Sequence, residues 1–247
     1  MIYIMSDLHG QYDKYRRMLE KINFSSNDKL YILGDIIDRG HGSFDILFDI
    51  MDRENVELFL GNHEHMMLTY LRGIDRETWF YGANGGRETY KEFRSFDDNT
   101  KNKIIDYLYN TTLLKILEFD NTKYILSHTG FWETNEDKYT KDYVNNIDDI
   151  LDFMWNQYNR RLELATTLKT PSKKTFLVSG HRIVNRMPGR DRYSKDDKNL
   201  SIFKHTFDNN ITYIDIDCGC AIGEDGRLSC LEIGPRSGKI NKVHYVR

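Results

Sequence analysis

Residues 34–40 read GDIIDRG, and they directly follow an apolar run of strand length at residues 30–33. Two similar polar clusters, DLHG at residues 7–10 and GNHE at residues 61–64, end the neighbouring apolar runs on either side. Aspartate, histidine and asparagine side chains therefore follow three successive predicted strands, each beside a glycine that permits a tight turn. This recurrence decides the fold class, because it attaches each polar cluster to the end of a strand.

The segments between the apolar runs, residues 12–22 and 43–53, carry apolar side chains at helical spacing. Strands at residues 2–5, 30–33 and 56–60 would therefore alternate with helices, a pattern that predicts parallel pairing at the start of a sheet. In such sheets ligands collect beyond the carboxyl ends of the strands. We therefore expect the polar clusters to meet at one site.

The rest of the chain predicts a helix at residues 99–109 and a hairpin of residues 113–119 and 124–126. Two further polar clusters, Ser127-His128 and Gly180-His181, end strand-like runs. Additional strands are predicted at residues 175–178, 211–216, 228–233 and 243–246. The last three are broken by glycines, which suggests a second, mixed or antiparallel sheet closing a sandwich.

Two polar stretches leave the strand pattern: residues 131–174, with a helix near residues 147–164, and residues 182–210, which are predicted to be mostly loop. Neither an internal repeat nor a linker is evident. The sequence therefore predicts one α/β domain over residues 1–247.

Composition excludes several classes of protein. Hydrophobic residues make up 39% of the 247 residues and charged residues 30%, which is typical of a globular protein. A net charge of -3 gives no general attraction to a nucleic acid duplex or an anionic membrane. The absence of a long apolar run predicts no membrane span, and the early Asp7 cluster argues against a cleaved signal peptide. Three cysteines without a Cys-x-x-Cys pair favour a reducing, cytoplasmic compartment.

The residue types in these clusters indicate a metal site. Asp7 and His9 lie two apart, so that on an extended chain their side chains project to the same side and could bind one ion together. Carboxylate, imidazole and amide donors suit Mn²⁺, Fe, Zn²⁺ or Ni²⁺ and disfavour a thiolate-rich structural zinc site.

Taken together, DLHG, GDIIDRG, GNHE, SHTG (residues 127–130) and SGH (residues 179–181) resemble the signature of the calcineurin-like metallophosphoesterases. More narrowly, they resemble the phosphoprotein phosphatase branch and its small bacterial and phage members. The matching motifs run from Asp7 to at least Cys220. The resemblance implies a four-layer fold, in which helices flank a central mixed β-sandwich and a dinuclear metal site lies at the strand ends.

The resemblance also implies a ligand set. Asp7 and His9 would bind the first metal, Asp35 would bridge both ions, and the second would be completed by Asn62, His128 and His181. The expected cofactors are two divalent cations, Mn²⁺ first, with Fe, Zn²⁺ or Ni²⁺ as alternatives. A hydroxide bridging the two ions would attack phosphorus in line, without a covalent phosphoenzyme.

Catalytic roles follow from the same resemblance. His63 is similar to the family's general acid, with Asp38 accepting a hydrogen bond from its other ring nitrogen. Arg39 would offer its planar guanidinium to the phosphate oxygens, and Asn62 would contact the substrate as well as a metal.

One departure from the family concerns a second phosphate-binding arginine. In the relatives an arginine follows two residues after a tryptophan of the middle insertion, whereas here Trp155 is followed at that spacing by Gln157. Arg160 and Arg161 lie one helical turn further on and could compensate.

Two other segments leave alternatives open. Trp79 and Asn84-Gly85-Gly86 resemble a feature of the bacterial relatives, but an ordinary loop and helix N-cap fit equally well. The segment from Asp217 to Cys220 resembles the ending of the same group and of symmetrical diadenosine tetraphosphate hydrolases. Its cysteines are interpreted as buried packing residues.

The leading functional hypothesis is a serine/threonine phosphoprotein phosphatase, with phosphotyrosine as a further substrate. Asp38 favours it, since the otherwise similar diadenosine tetraphosphate hydrolases tend to have a small residue there. The alternative is that hydrolase activity, supported by the Asp217 to Cys220 ending, by the missing arginine and by the basic loop after His181 (residues 182–195). A non-catalytic metal-binding scaffold and a nuclease are disfavoured. The sequence leaves the oligomeric state open.

Overall fold

The computed structural model describes residues 1–129, 154–155, 170–186, 201–223 and 225–247. The strands are β1 (Ile2–Met5), β2 (Lys29–Ile32), β3 (Val56–Leu58), β4 (Leu114–Glu118), β5 (Thr122–Ser127), β6 (Lys174–Ser179), β7 (Phe203–Thr206), β8 (Ile211–Asp215), β9 (Leu228–Ile233) and β10 (Ile240–Val246). The α-helices are α1 (Tyr12–Lys21), α2 (Ser43–Met51), α3 (Asn62–Leu71), α4 (Gly86–Ser95) and α5 (Asp98–Tyr109).

The described strands form two five-stranded sheets that differ in where their antiparallel pairings lie, on one side of the parallel strands in the first sheet and at both edges in the second. The first has the order β10-β9-β1-β2-β3 and the second the order β4-β5-β6-β8-β7. Three parallel strands lie together in each sheet, β1-β2-β3 and β5-β6-β8, and antiparallel strands extend them. Each sheet is therefore mixed.

Alternation of side chains along the strands builds two layers of core. Ile4 of β1 packs in a cluster with Leu126, Val178 and Leu231, which joins the facing sides of the two sheets. The neighbouring Met5 instead joins a cluster with the buried faces of the helices, such as Met18 and Leu19 of α1 and Phe44 and Leu47 of α2. Because successive side chains of a strand point to opposite faces, one strand serves both layers.

These observations confirm the predicted fold class, an α/β fold with two mixed sheets flanked by helices. The predicted helix near residues 147–164 lies outside the described residues, apart from Met154 and Trp155. Among the described helices, none combines the length and apolarity needed to cross a bilayer.

The structure corrects the arrangement of the C-terminal strands. The sequence suggested that the last three strands would close a separate second sheet, but β9 and β10 complete the first sheet beside β1. Of the last three predicted strands, only β8 belongs to the second sheet. Its neighbour there, β7, lies in a stretch that was predicted to be mostly loop. The side chains of β7 are mostly exposed, so its sequence lacks the apolar alternation that would have indicated a strand.

Candidate metal and phosphate site

The predicted ligands meet where the parallel strands of both sheets end. The loop after β1 continues alongside the loop after β2, with the Asp7 amide donating to the Gly34 carbonyl (3.1 Å) and the His9 amide to the Asp35 carbonyl (2.9 Å). In the second sheet, the Gly180 amide donates to the His128 carbonyl (2.9 Å). These hydrogen bonds continue the pairing of the strands by a few residues, and the polar side chains lie on these continuations.

Left-handed backbone conformations concentrate at this site. Eight non-glycine residues in the described part have positive φ, and six of them are predicted site residues. These six are Asp7 (55°), His9 (45°), Asp35 (55°), Asp38 (71°), Arg39 (67°) and His181 (71°). Such conformations are disfavoured for residues with a Cβ and persist only where the surrounding structure holds them, which is common at functional sites.

A close backbone approach explains the glycine before His181. A Cβ at Gly180 would lie 2.1 Å from the Asp7 carboxylate and 2.0 Å from the Ser6 hydroxyl. Only glycine fits between these groups. Because Gly180 has no side chain, the His181 amide can donate to both Asp7 carboxylate oxygens, at 3.1 and 2.9 Å.

Within the described part of the chain, two groups of side chains have the spacing needed to hold a metal ion. The first contains His9, Asp35 and His63, and the second contains Asp35, His128 and His181; the ligand atoms within each group lie within 4.8 Å of one another. Asp35 belongs to both groups. Asp7 belongs to neither; both of its carboxylate oxygens accept from the His181 amide, and Oδ2 also accepts from the Ser6 hydroxyl.

Asn62 completes the second group with an amide oxygen. Its Oδ1 lies 3.0 Å from His128 Nε2 and 2.7 Å from His181 Nδ1. Five of the predicted ligands, His9, Asp35, Asn62, His128 and His181, thus offer a side-chain atom to one of the two groups, whereas the Asp7 carboxylate contacts the His181 amide.

Hydrogen bonds outside the site fix two of the imidazoles in a form suited to metal binding. His9 Nδ1 lies 3.0 Å from the Ile37 carbonyl, and His128 Nδ1 lies 2.6 Å from the Leu33 carbonyl. A carbonyl can only accept, so Nδ1 is the donor and Nε2 of the neutral ring keeps its lone pair. Both lone pairs belong to the Nε2 atoms that face the other ligands, which is the usual outer-shell arrangement of metal-binding histidines.

Buried carboxylates make the site favourable for cations. Burial raises the pKa of Asp7 well above its usual value, and the nearby Asp217 and Asp35 carboxylates raise it further. Burial likewise raises the pKa of Asp35, with Glu64 adding to the effect. Clustered carboxylates in a dry environment repel one another, and divalent cations would relieve this repulsion.

Glu64, for which the motif GNHE predicts no role in the site, binds the loops around it through its carboxylate. Its carboxylate accepts from the backbone amides of Asp35 (2.8 Å), Ile36 (2.9 Å) and Gly61 (3.0 Å). It therefore caps the first turn of α3 and holds the loop that carries Asp35. The signal for the cap was present in GNHE, because Glu64 lies three residues after the N-cap Gly61.

His63, a member of the first ligand group, is also paired with Asp38, and both side chains are buried. His63 Nδ1 lies 2.7 Å from Asp38 Oδ2, and the Trp79 indole donates to the same oxygen at 2.8 Å. Burial and the Arg39 guanidinium lower the pKa of His63, while burial raises the pKa of Asp38 to about 7 against the opposing effect of Thr89 and Trp79. The 2.7 Å contact opposes both shifts, because an ionised Asp38 stabilises a protonated His63.

Arg39 contacts two members of the first ligand group. Its Nη1 is 2.7 Å from His9 Nε2 and its Nη2 is 3.2 Å from His63 Nε2. The guanidinium fork therefore bridges His9 and His63.

The site opens into a cavity of about 490 Å³. Besides the site residues, it is lined by Ala83, Asn84, Trp155, Arg182, Ile183, Asp217, Gly219, Cys220, Ala221 and Ile222. Trp155 reaches this cavity and contacts His181, with ring centroids 5.9 Å apart. Gln157, Arg160 and Arg161 lie outside the described residues, so their predicted contacts with substrate remain predictions.

A family model described as calcineurin-like phosphoesterase matches residues 1–214, which is most of the chain. The chain belongs to this family. Calcineurin-like phosphoesterases are metal-dependent hydrolases with a dinuclear site of divalent metals, and the two ligand groups are candidates for that site. The resemblance drawn from the five motifs is thereby confirmed at the level of the family.

Relatives of this calcineurin-like phosphoesterase include symmetrical bis(5'-nucleosyl)-tetraphosphatases. The one from Buchnera aphidicola subsp. Acyrthosiphon pisum is 33% identical over 140 residues, covering 54% of this chain and 46% of that protein. The one from a strain of Escherichia coli is 28% identical over 151 residues, covering 60% and 50%. The match therefore spans about half the length of these curated relatives.

A cold-active protein-tyrosine phosphatase from a psychrophilic Shewanella species shares the fold. Its TM-score is 0.57 at 22% identity, over 94% of this chain and 75% of that one. At this identity the similarity establishes the architecture alone.

Proposed function

We propose that this calcineurin-like phosphoesterase is a phosphomonoesterase acting on phosphoserine and phosphothreonine in proteins, with phosphotyrosine as a further substrate. The observation that carries the proposal is the buried His63–Asp38 pair. Asp38 holds Nδ1 of His63 at 2.7 Å, so that Nε2 faces Arg39 and the ligand groups. A histidine held in this way is suited to deliver a proton at a defined point of the site.

We propose that two divalent cations are held by six residues, with Asp35 between the two ions. The six are Asp7, His9, Asp35, Asn62, His128 and His181. The donor set fits Mn²⁺, with Fe, Zn²⁺ or Ni²⁺ as alternatives, because it consists of carboxylates, imidazoles and an amide. When bound, the cations would polarise the phosphoryl oxygens and lower the pKa of water. Cys220 lines the cavity but is not in the set, since burial raises the pKa of its thiol to about 12.

In this proposal, Arg39 and Asn62 would bind the phosphate, and His63 would donate the proton. Arg39 presents two N–H donors, now directed at His9 and His63, that match two oxygens of a phosphoryl group. Asn62 can contact the same group through its amide. His63 would donate its proton to the leaving oxygen.

The nature of the leaving group favours a phosphomonoester of an alcohol. A serine or threonine alkoxide is a strong base and departs readily only when protonated, so a buried acid with an orienting carboxylate serves this reaction. A nucleoside diphosphate is a much better leaving group and gains less from the same proton. The arrangement of two buried polar residues for proton donation therefore supports phosphoserine and phosphothreonine as substrates.

The second candidate is a symmetrical dinucleoside tetraphosphate hydrolase. The names of the curated relatives support it, as does the cavity wall formed by Asp217 and Cys220, in the segment that resembles such enzymes. The 33% identity applies to only about half of the relative's length. For this reason we rank it second.

Turnover by the Mn²⁺-loaded chain would separate the candidates. We expect a higher kcat/KM for a phosphoserine or phosphothreonine peptide than for diadenosine tetraphosphate. A preference for the tetraphosphate, with ADP as the product, would establish the second candidate instead. Metal binding without turnover of either substrate would indicate a non-catalytic scaffold.

Replacement of the acid gives a sharper prediction. His63→Asn should reduce kcat on the phosphoserine peptide by about 10²- to 10⁴-fold, because the alkoxide would leave without a proton. The loss on p-nitrophenyl phosphate should be much smaller, since p-nitrophenolate departs unprotonated. His205→Asn, on the exposed side of β7, is the matched control and should change neither rate. Equal losses on both substrates for His63→Asn would contradict the acid role.

We further propose a single domain and a cytoplasmic location. Cys218, Cys220 and Cys230 are free and buried, which supports a reducing compartment.

A further inference from the structure

The Asp38 carboxylate has a second donor that the proposed mechanism leaves unused. Its Oδ2 accepts from His63 Nδ1 at 2.7 Å and also from Trp79 Nε1 at 2.8 Å. Trp79 and Asp38 are 41 residues apart in the sequence, and their exposed fractions are 1% and 0%. A buried indole N–H requires an acceptor, and here it uses the oxygen that orients the proposed acid.

Two adjacent glycines allow the indole to reach this oxygen. A Cβ at Gly86 would lie 2.5 Å from both Nε1 and Cδ1 of Trp79, so any side chain there would displace the ring. At Gly85, where φ is +89°, a Cβ would lie 2.7 Å from the Arg39 amide nitrogen. The segment carrying Trp79 is therefore packed against the loop of Asp38 and Arg39 at backbone distance.

Aromatic neighbours hold the indole ring in place. Tyr70 of α3, Phe80 and Tyr90 of α4 surround it, with ring centroids 5.6, 5.3 and 6.0 Å from that of Trp79. A ring packed on several sides cannot turn without moving these neighbours. The N–H direction is thus fixed by the core, independently of His63.

We propose that Trp79 is a positioning residue for proton delivery: its indole N–H holds the Asp38 carboxylate in the orientation that aligns His63. The inference rests on the proposed function, because it takes His63 as the acid. With only one donor on Oδ2, the carboxylate could rotate about its terminal torsion, for which the energy wells are broad. With a second donor whose direction is fixed by the aromatic cluster, the rotation would break two hydrogen bonds instead of one.

Trp79→Phe keeps an aromatic ring and removes the donor, and its effect should depend on the leaving group. With the Mn²⁺-loaded chain, kcat on the phosphoserine peptide should fall about 10- to 100-fold, as expected for loss of a hydrogen bond to a charged group. KM should change little, and kcat on p-nitrophenyl phosphate should fall by less than about threefold. Phe80→Leu, which disturbs the same aromatic cluster without removing a donor, is the matched control and should affect both substrates equally.

A double-mutant cycle tests whether Trp79 acts through Asp38. In an Asp38→Asn background, Trp79→Phe should have little further effect on the phosphoserine peptide, because the group that it positions is already changed. If instead the two substitutions reduce kcat by independent factors that multiply in the double variant, the inference is wrong.

His63→Asn in the same assays separates this inference from the proposed function. If His63→Asn lacks the leaving-group dependence, the acid role itself fails. If His63→Asn shows this dependence but Trp79→Phe reduces kcat equally on both substrates, only the positioning role fails.

A spectroscopic measurement needs neither activity nor a folded Trp79 variant. The metal-free chain labelled with ¹⁵N contains three tryptophans, and replacing each of the other two by phenylalanine assigns the Trp79 indole signal. A hydrogen bond to a carboxylate moves an N–H proton downfield, so Asp38→Asn should move this signal upfield. An unchanged Trp79 signal would contradict the hydrogen bond and the inference with it.

Discussion

At the scale of single residues, Asp35 has the most demanding position. Its Oδ2 lies 3.7 Å from His9 Nε2, and its Oδ1 lies 3.4 Å from His128 Nε2. The two oxygens of one carboxylate therefore face the first sheet's ligands and the second sheet's ligands respectively. Its φ of 55° directs the side chain between them.

Asp35→Asn should consequently disrupt both ligand groups. The amide keeps the shape but removes the charge shared between the groups, so we expect fewer than two tightly bound metals per chain. Turnover of every phosphoester should fall at least about 100-fold. Elemental analysis of the dialysed protein, with kinetics, checks this. Asp98→Asn, whose side chain is 96% exposed, is the control; two tightly held metals together with a near-normal rate in Asp35→Asn would contradict the shared role.

At the scale of elements, α1 and α2 are connected by a partly buried polar contact. The Tyr15 hydroxyl donates to Asp49 at 2.7 Å, and Arg53 adds a two-point contact at 2.8 and 2.9 Å. Burial raises the pKa of Asp49, but the Arg53 and Tyr15 hydrogen bonds outweigh it and hold that pKa below its usual value. The ionised carboxylate therefore stabilises the packing of α1 against α2.

This contact predicts a pH dependence of stability. Because the folded pKa of Asp49 is depressed, its contribution is fully present above the unfolded pKa, about 3.9, and is lost as the pH falls through the lower, folded value. Asp49→Asn should lower the free energy of unfolding at pH 7 by about 1–2 kcal/mol. The difference from the wild type should shrink below about pH 4.

Denaturant unfolding of both proteins between pH 3 and pH 7 measures this dependence. Asp52→Asn, exposed at the end of the same helix, is the control and should show little loss at any pH. A loss at Asp49→Asn that is constant over the whole range would argue that the neutral amide disturbs packing instead.

At the scale of the whole molecule, the site joins the two sheets. Asp7, His9 and Asp35 follow strands of the first sheet, whereas His128 and His181 follow strands of the second. A cation bound by both sets would act as a cross-link between sheets that otherwise meet through their apolar faces. Metal binding should therefore stabilise the fold as a whole.

Thermal unfolding of the metal-free chain with added Mn²⁺ tests the cross-link. At a free Mn²⁺ concentration about 100 times Kd, the free energy of unfolding should rise by about 2.7 kcal/mol. For a chain of this size, that corresponds to a rise in Tm of roughly 5–10 °C. His128→Ala, which removes a second-sheet ligand, should lose much of the gain, whereas His205→Ala should keep it. A Tm independent of Mn²⁺ would contradict a metal site shared by the sheets.

The sequence by itself determined the parts of this protein that depend on neighbouring residues. Apolar runs of strand length, helical spacing between them, and glycine beside each polar cluster predicted β1, β2 and β3 with their crossover helices nearly to the residue. The motifs at the strand ends also brought Asp35 and the histidines into one predicted site, because parallel strands end at the same edge of a sheet.

Only the tertiary structure decided which distant segments meet. β9 lies antiparallel beside β1, Glu64 holds the loop of Asp35 through backbone amides, and Trp79 shares Asp38 with His63. None of these contacts follows from a local period, since each joins segments whose own patterns fit several partners. They are selected by the burial of both faces of each sheet and by the requirement that every buried donor find an acceptor, which are conditions on the whole fold.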